Sequence, residues 1–122
     1  MEREEFELLV GRALAALPRE FRERLENLTV MVEDWPSRRQ LREAGVGHRE
    51  GLLGLYEGIP QTERGEGYNL VLPDRITIFQ RPIELTCRSR REMIEEIGRV
   101  VRHEIAHHFG LSDEALEEIE GE

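Results

Sequence analysis

Apolar residues recur at helical spacing near the start of the chain, where Phe6, Leu9, Val10, Ala13, Leu14 and Leu17 form one stripe. Pro18 stops this first helix or opens a second one carrying Phe21 and Leu25, and residues 1–27 read as an N-terminal helical segment. Thr29-Val30-Met31-Val32-Glu33 is rich in β-branched residues and runs into Trp35-Pro36, which predicts a short strand. Ser37 followed by Gln40 is a capping-box pattern for a short helix ending near Gly45. Leu52–Tyr56 and Arg75–Phe79 are two further strand candidates. Between them, residues 58–69 have no period and several glycines, the pattern of a connector or a lid. A second capping box, Ser89 with Glu92, opens the longest helical pattern, about residues 90–109, which Gly110 closes. A last short helix would carry Leu116 and Ile119.

Helices before and after a few short strands predict an α+β domain with a small mixed β-sheet. The 122 residues suit one domain spanning 1–122, able to bury a single core. All 17 basic residues are arginine, and 26 acidic residues leave a formal net charge of −9. That balance argues against a nucleic-acid binder, which gains affinity by releasing counterions from phosphates. The absence of lysine excludes Schiff-base chemistry and the lysine-bearing phosphate loop. The acidic start Met1-Glu2-Arg3-Glu4-Glu5 does not resemble a secretory leader, and no apolar run approaches membrane-spanning length. With the single Cys87 unable to form an internal disulfide, the expected compartment is the cytoplasm, with no membrane partner.

Three of the four histidines lie within six positions, in His103-Glu104-Ile105-Ala106-His107-His108. In a chain of this composition, H-E-x-x-H arises by chance only roughly 0.02 times, so its occurrence inside the best helical pattern carries weight. At about 100° per residue, His103 and His107 project from one helix face a turn apart, the spacing at which two imidazoles share a zinc ion. A catalytic zinc needs a third protein ligand, and a left-handed Gly110 would turn the chain so that Asp113 could approach. On the same wheel Glu104 falls within the apolar stripe of Met93, Ile97, Val100 and Val101. A carboxylate there is costly unless paired, and a general base that takes a proton from an activated water needs such a partly desolvated place. His108 faces toward the apolar side without ligand spacing to His107 and reads as structural or as a support to the ligands.

The extended pattern H-E-x-x-H-x-x-G-x-x-D resembles that of zincin metallopeptidases, with aspartate in place of the third histidine of metzincins, as in snapalysin-like proteases. Leu52–Pro60, Leu72–Phe79 and His103–Asp113 together resemble the minimal zincin-like family of small bacterial proteins, over about residues 28–118. The resemblance implies a zincin-like fold with a mixed sheet beside the active-site helix. It also implies His103, His107 and Asp113 as zinc ligands and Glu104 as the catalytic acid/base. No methionine follows the third ligand, since the methionines are Met1, Met31 and Met93.

The function expected is zinc-dependent hydrolysis of a peptide or unfolded protein by a monomer or small homo-oligomer. With nine residues after Asp113, substrate would be held by the sheet edge, the 58–69 loop or another subunit. The strand at 75–79 is the expected place for strand addition. Tyr56, Tyr68 and Arg64 are oxyanion-stabilising candidates by residue type alone. Two other readings use the same ligands. One is a metal-holding regulatory or interaction module, for which the acidic run Glu114, Glu117, Glu118, Glu120 and Glu122 and the cluster Arg81, Arg88, Arg90 and Arg91 would be docking surfaces. The other is a purely structural zinc, which leaves Glu104 without a role.

Overall fold

β-strand pairing puts the most deeply buried of the described strands, Arg75–Phe79, at the centre of the sheet. In a computed structural model describing residues 1–58 and 74–110, the chain runs α1 (Arg3–Ala15), α2 (Arg19–Leu25), β1 (Thr29–Glu33), α3 (Arg38–Ala44), a 3₁₀ turn (Arg49–Gly51), β2 (Gly54–Glu57), β3 (Arg75–Phe79), α4 (Gln80–Thr86) and α5 (Arg90–His108). The sheet order is β1-β3-β2, with β1 parallel and β2 antiparallel to β3. The α+β class and mixed sheet expected from the sequence are thus present. The expected helix at Leu116 and Ile119 and the 58–69 connector, apart from Gly58, lie outside the described residues.

Side-chain alternation along β3 sends Ile76 and Ile78 to one face and Arg75, Thr77 and Phe79 to the other. Ile76 and Ile78 are fully buried in a core with Phe6, Leu9, Val10 and Ala13 of α1, Phe21 of α2 and Ile97, Val101 and Ile105 of α5. The helical stripe read from residues 6–17 is therefore the face that α1 turns to α5 and the sheet. Gly54 allows α5 to come close to β2: a Cβ there would meet Val100 Cγ1 at 2.5 Å and the Thr77 carbonyl at 3.3 Å.

On the opposite face, Thr77 is buried and donates to Glu57 Oε1 at 3.2 Å, and Gln40 of α3 donates to the same oxygen at 3.0 Å. Arg75 adds a hydrogen bond to Glu57 Oε2 at 3.4 Å. Burial alone would raise the Glu57 pKa, but the bonds from Gln40, Arg75 and Thr77 and the charge of Arg75 outweigh it and hold the carboxyl below its ordinary 4.5. A folded-state pKa below the unfolded one means that the charged group stabilises the fold above the unfolded pKa, and that this contribution disappears as pH falls through the folded pKa. Glu57→Gln is accordingly expected to lower the urea midpoint at pH 7, and the gap from wild type to close below about pH 4. Denaturant titrations of both proteins at pH 7 and pH 3 check this.

The first capping box forms where the sequence puts it, and the second forms only in half. Ser37 Oγ accepts from Gln40 N while Gln40 Oε1 accepts from Ser37 N. Ser89 Oγ accepts from Glu92 N at 3.1 Å, but Glu92 Oε2 accepts from Arg88 N, one residue before the cap. Helix α4 has no counterpart in the sequence reading. Its seven residues are too few to show a period, and Pro82 sits in the first turn, where no intrahelical bond is lost. Buried Gln80 is satisfied there by Arg3 Nε at 3.1 Å, the Met1 carbonyl at 2.9 Å and Glu84 Oε2 at 3.1 Å, which ties the start of α1 to the end of β3.

The placement of strand addition needs correction. β3 is flanked on both sides by β1 and β2, so its backbone groups are consumed and residues 75–79 cannot accept another strand. Among the described residues, β2 is an outer strand of the sheet. No described helix is long and apolar enough to cross a membrane.

Candidate functional site

Helix α5 presents its apolar stripe inward through Ile97, Val101 and Ile105, all fully buried, and carries His103 and His107 on the other side of its last two turns, with Glu104 facing β2. His103 and His107 are exposed and Glu104 is partly buried. The helix ends at His108, followed by Phe109 and by Gly110 at φ 67°, the left-handed conformation expected at this position. Asp113 lies outside the described residues, as do Tyr68, Arg64 and the acidic run from Glu114. Among the described residues, no group of three His, Cys, Asp or Glu side chains is arranged to hold a metal ion.

Glu104 is held by the sheet. Phe79 N donates to the Leu53 carbonyl at 2.9 Å, and since inward and outward groups alternate in an antiparallel pair, the N–H and C=O of Gly54 and Tyr56 point away from β3. The outward Tyr56 N–H donates to Glu104 Oε1 at 2.8 Å. Burial pushes the Glu104 pKa above its ordinary 4.5, while the bond from Tyr56 and the neighbouring His107 and His103 offset part of that rise. The expected tension at this position, a carboxylate in an apolar stripe, is thus relieved by one strand-edge hydrogen bond. The sequence wheel locates Glu104 correctly but does not show its partner, because the contact joins residues 48 positions apart.

Beside this contact lies a cleft of about 560 Å³, bounded by Glu104, His107 and His108 of α5, by β2 and by Glu43 and Val46 at the end of α3. His103 stands one turn earlier and is not part of its lining. The structure therefore joins Glu104 and His107 at one cleft along an outer strand, with His103 exposed on the same helix.

His108 is not directed into the core. It is exposed and stacks on the Tyr56 ring with centroids 3.8 Å apart and planes 13° from parallel. The Tyr56 hydroxyl donates to Asp74 Oδ2 at 2.9 Å, and His108 Nε2 lies 4.0 Å from the same oxygen. That bond commits the Tyr56 hydroxyl proton to a carboxylate, which removes Tyr56 as an oxyanion donor in this arrangement. Three of the four clustered arginines are engaged internally: Arg81 pairs with Glu84 and Asp34, Arg90 with Glu5 and Arg91 with Glu95. Such pairing weakens the cluster's reading as a docking surface.

The family model for zincin-like metallopeptidases matches residues 25–122 of this chain. The chain belongs to the zincin-like metallopeptidase family. That membership suggests a peptidase and peptide substrates, and the family is generally zinc-dependent. No curated protein is similar enough to the chain to match it. The matched span excludes α1, although Phe6, Leu9, Val10 and Ala13 of that helix belong to the same core as α5.

Proposed function

We propose that this protein is a zinc-dependent peptidase whose reaction centre is the cleft between α5 and β2. The observation that carries the reading is the partly buried Glu104 carboxylate, fixed by the Tyr56 N–H at 2.8 Å beside His107. The donor set suits zinc: two exposed imidazoles one helical turn apart, with a carboxylate between them in sequence and Asp113 just beyond the helix end. His103, His107 and Asp113 would hold the ion. When bound, zinc polarises a scissile carbonyl and acidifies water.

The chain's own residues supply the rest. With Oε1 tied to Tyr56, Glu104 retains its second oxygen to take a proton from the attacking water and return it to the leaving amine. Peptide substrate would lie extended along β2, whose outward Gly54 N–H, Gly54 carbonyl and Tyr56 carbonyl offer strand pairing beside Glu104. This arrangement keeps strand addition as the binding mode and moves it from residues 75–79 to residues 54–57.

Metal removal tests the proposal. A zinc-loaded sample is expected to cleave a denatured protein or peptide library, to lose cleavage after chelation and dialysis, and to regain it with added zinc. Cleavage that persists after the metal is gone would overturn the metal-dependent reading. A zinc-loaded protein that cleaves no member of such libraries would instead favour a metal-holding interaction module.

A further inference from the structure

Asp74 links the start of the central strand to the end of α5. It precedes β3, and its Oδ2 lies 4.0 Å from His108 Nε2 at the last residue of α5. The Tyr56 hydroxyl donates to the same carboxylate oxygen at 2.9 Å.

Tyr56 connects three parts of this region. Its hydroxyl reaches Asp74, its ring stacks on His108 at 3.8 Å, and its backbone N–H holds Glu104. Glycine at position 58 permits the close approach: a Cβ there would meet Asp74 Oδ1 at 2.7 Å and Tyr56 Cε1 at 2.9 Å. Asp74 is itself anchored through the sheet, since its carbonyl accepts from Thr29 N at 3.1 Å.

We infer that Asp74, Tyr56 and Gly58 form a clamp that positions the last turn of α5, with His108 as its handle, and so sets the places of His107 and Glu104. A helix end tends to fray, because its last carbonyls lack intrahelical partners. The clamp acts on the turn that carries His107 and directly follows Glu104, and displacements of about 1 Å at such groups reduce reaction rates by about 100-fold. Tyr56, Asp74 and Gly58 are positioning residues: none is assigned contact with substrate or metal through its side chain. The inference about catalysis rests on the peptidase reading, whereas the clamping of the helix end does not.

The experiment combines amide hydrogen exchange on the metal-free protein with zinc affinity measured by competition against a chromophoric chelator. Tyr56→Phe keeps the ring stack and the Glu104 bond and removes only the hydroxyl. It is expected to speed exchange of the amides of residues 105–110 about tenfold while leaving those of α1 unchanged. Asp74→Ala should do the same, Asp74→Asn should restore most of the protection because it keeps an acceptor, and the Tyr56→Phe/Asp74→Ala pair should exceed neither single variant. Gly58→Ala, which pushes Asp74 and the ring apart, should reproduce the effect. Zinc affinity is expected to fall about tenfold in Tyr56→Phe and to recover in Asp74→Asn relative to Asp74→Ala. Unchanged exchange at 105–110 in both Tyr56→Phe and Asp74→Ala overturns the clamp, whether or not zinc binds. A wild-type protein that binds no zinc overturns the peptidase reading, and the exchange data then decide the clamp on their own.

Discussion

Glu104→Gln is expected to retain bound zinc and to lose peptide cleavage by about 100- to 10,000-fold. Glutamine preserves the shape of the side chain and can still accept the Tyr56 N–H at Oε1, so the helix and the cleft should be undisturbed. What disappears is the ability to take a proton. The substitution separates the proposed roles: a structural zinc site would be indifferent to it, and a site in which Glu104 is itself a ligand would lose metal. Metal content and kcat/KM on a peptide cleaved by the wild type are the two readouts, and equal cleavage by both forms would remove Glu104 from the mechanism.

The second large effect falls on the metal. His103→Ala and His107→Ala are each expected to weaken zinc binding on the order of 100-fold or more, because a structural zinc site divides about 10–16 kcal/mol among four ligands. Asp113→Ala should behave likewise, since it removes the third donor and the charge that favours a dication. Both histidines are exposed, so their replacement leaves the core of Ile97, Val101 and Ile105 intact. Unfolding midpoints of the metal-free variants should match the wild type. Zinc binding as tight as wild type in His103→Ala and Asp113→Ala would show that the ligands lie elsewhere.

Local signals in the chain were legible and long-range ones were not. Ser37, Ser89 and Gly110 mark helix ends through hydrogen bonds and backbone geometry confined to a few residues, and each does so in the structure. The placement of Glu104 within the apolar stripe also follows from helical period alone. Which strand lies in the middle does not, because Arg75–Phe79 and Gly54–Glu57 are both short and the order depends on how β1 returns to the sheet. The run Ile76-Thr77-Ile78-Phe79 is buried at every position, a pattern of a strand covered on both faces, with Thr77 paid for by Glu57. Helix α4 hides in a segment with a proline in its first turn. His108 illustrates a further limit: its wheel position suggests the core side, yet at the last residue of the helix the facing surface is the Tyr56 ring.

The support for Glu104 was the least accessible feature. Nothing in the period of residues 52–56 states that the Tyr56 N–H points outward; that follows from the register Tyr56↔Ile76 and the Phe79 to Leu53 bond. The same register supplies the outward Gly54 groups to which a substrate strand could pair. A strand edge and a helical H-E-x-x-H motif are thus brought together by a pairing whose partners are far apart in sequence.

The most direct test of the central claim is a crystal structure of the zinc-loaded protein with anomalous scattering measured at the zinc edge. The expected map shows one ion bound by His103, His107 and Asp113, with Zn–N distances of about 2.0–2.1 Å, a fourth position left to solvent, and Glu104 beside that position. Zinc closed off by four protein ligands, or located away from the cleft between α5 and β2, would contradict it.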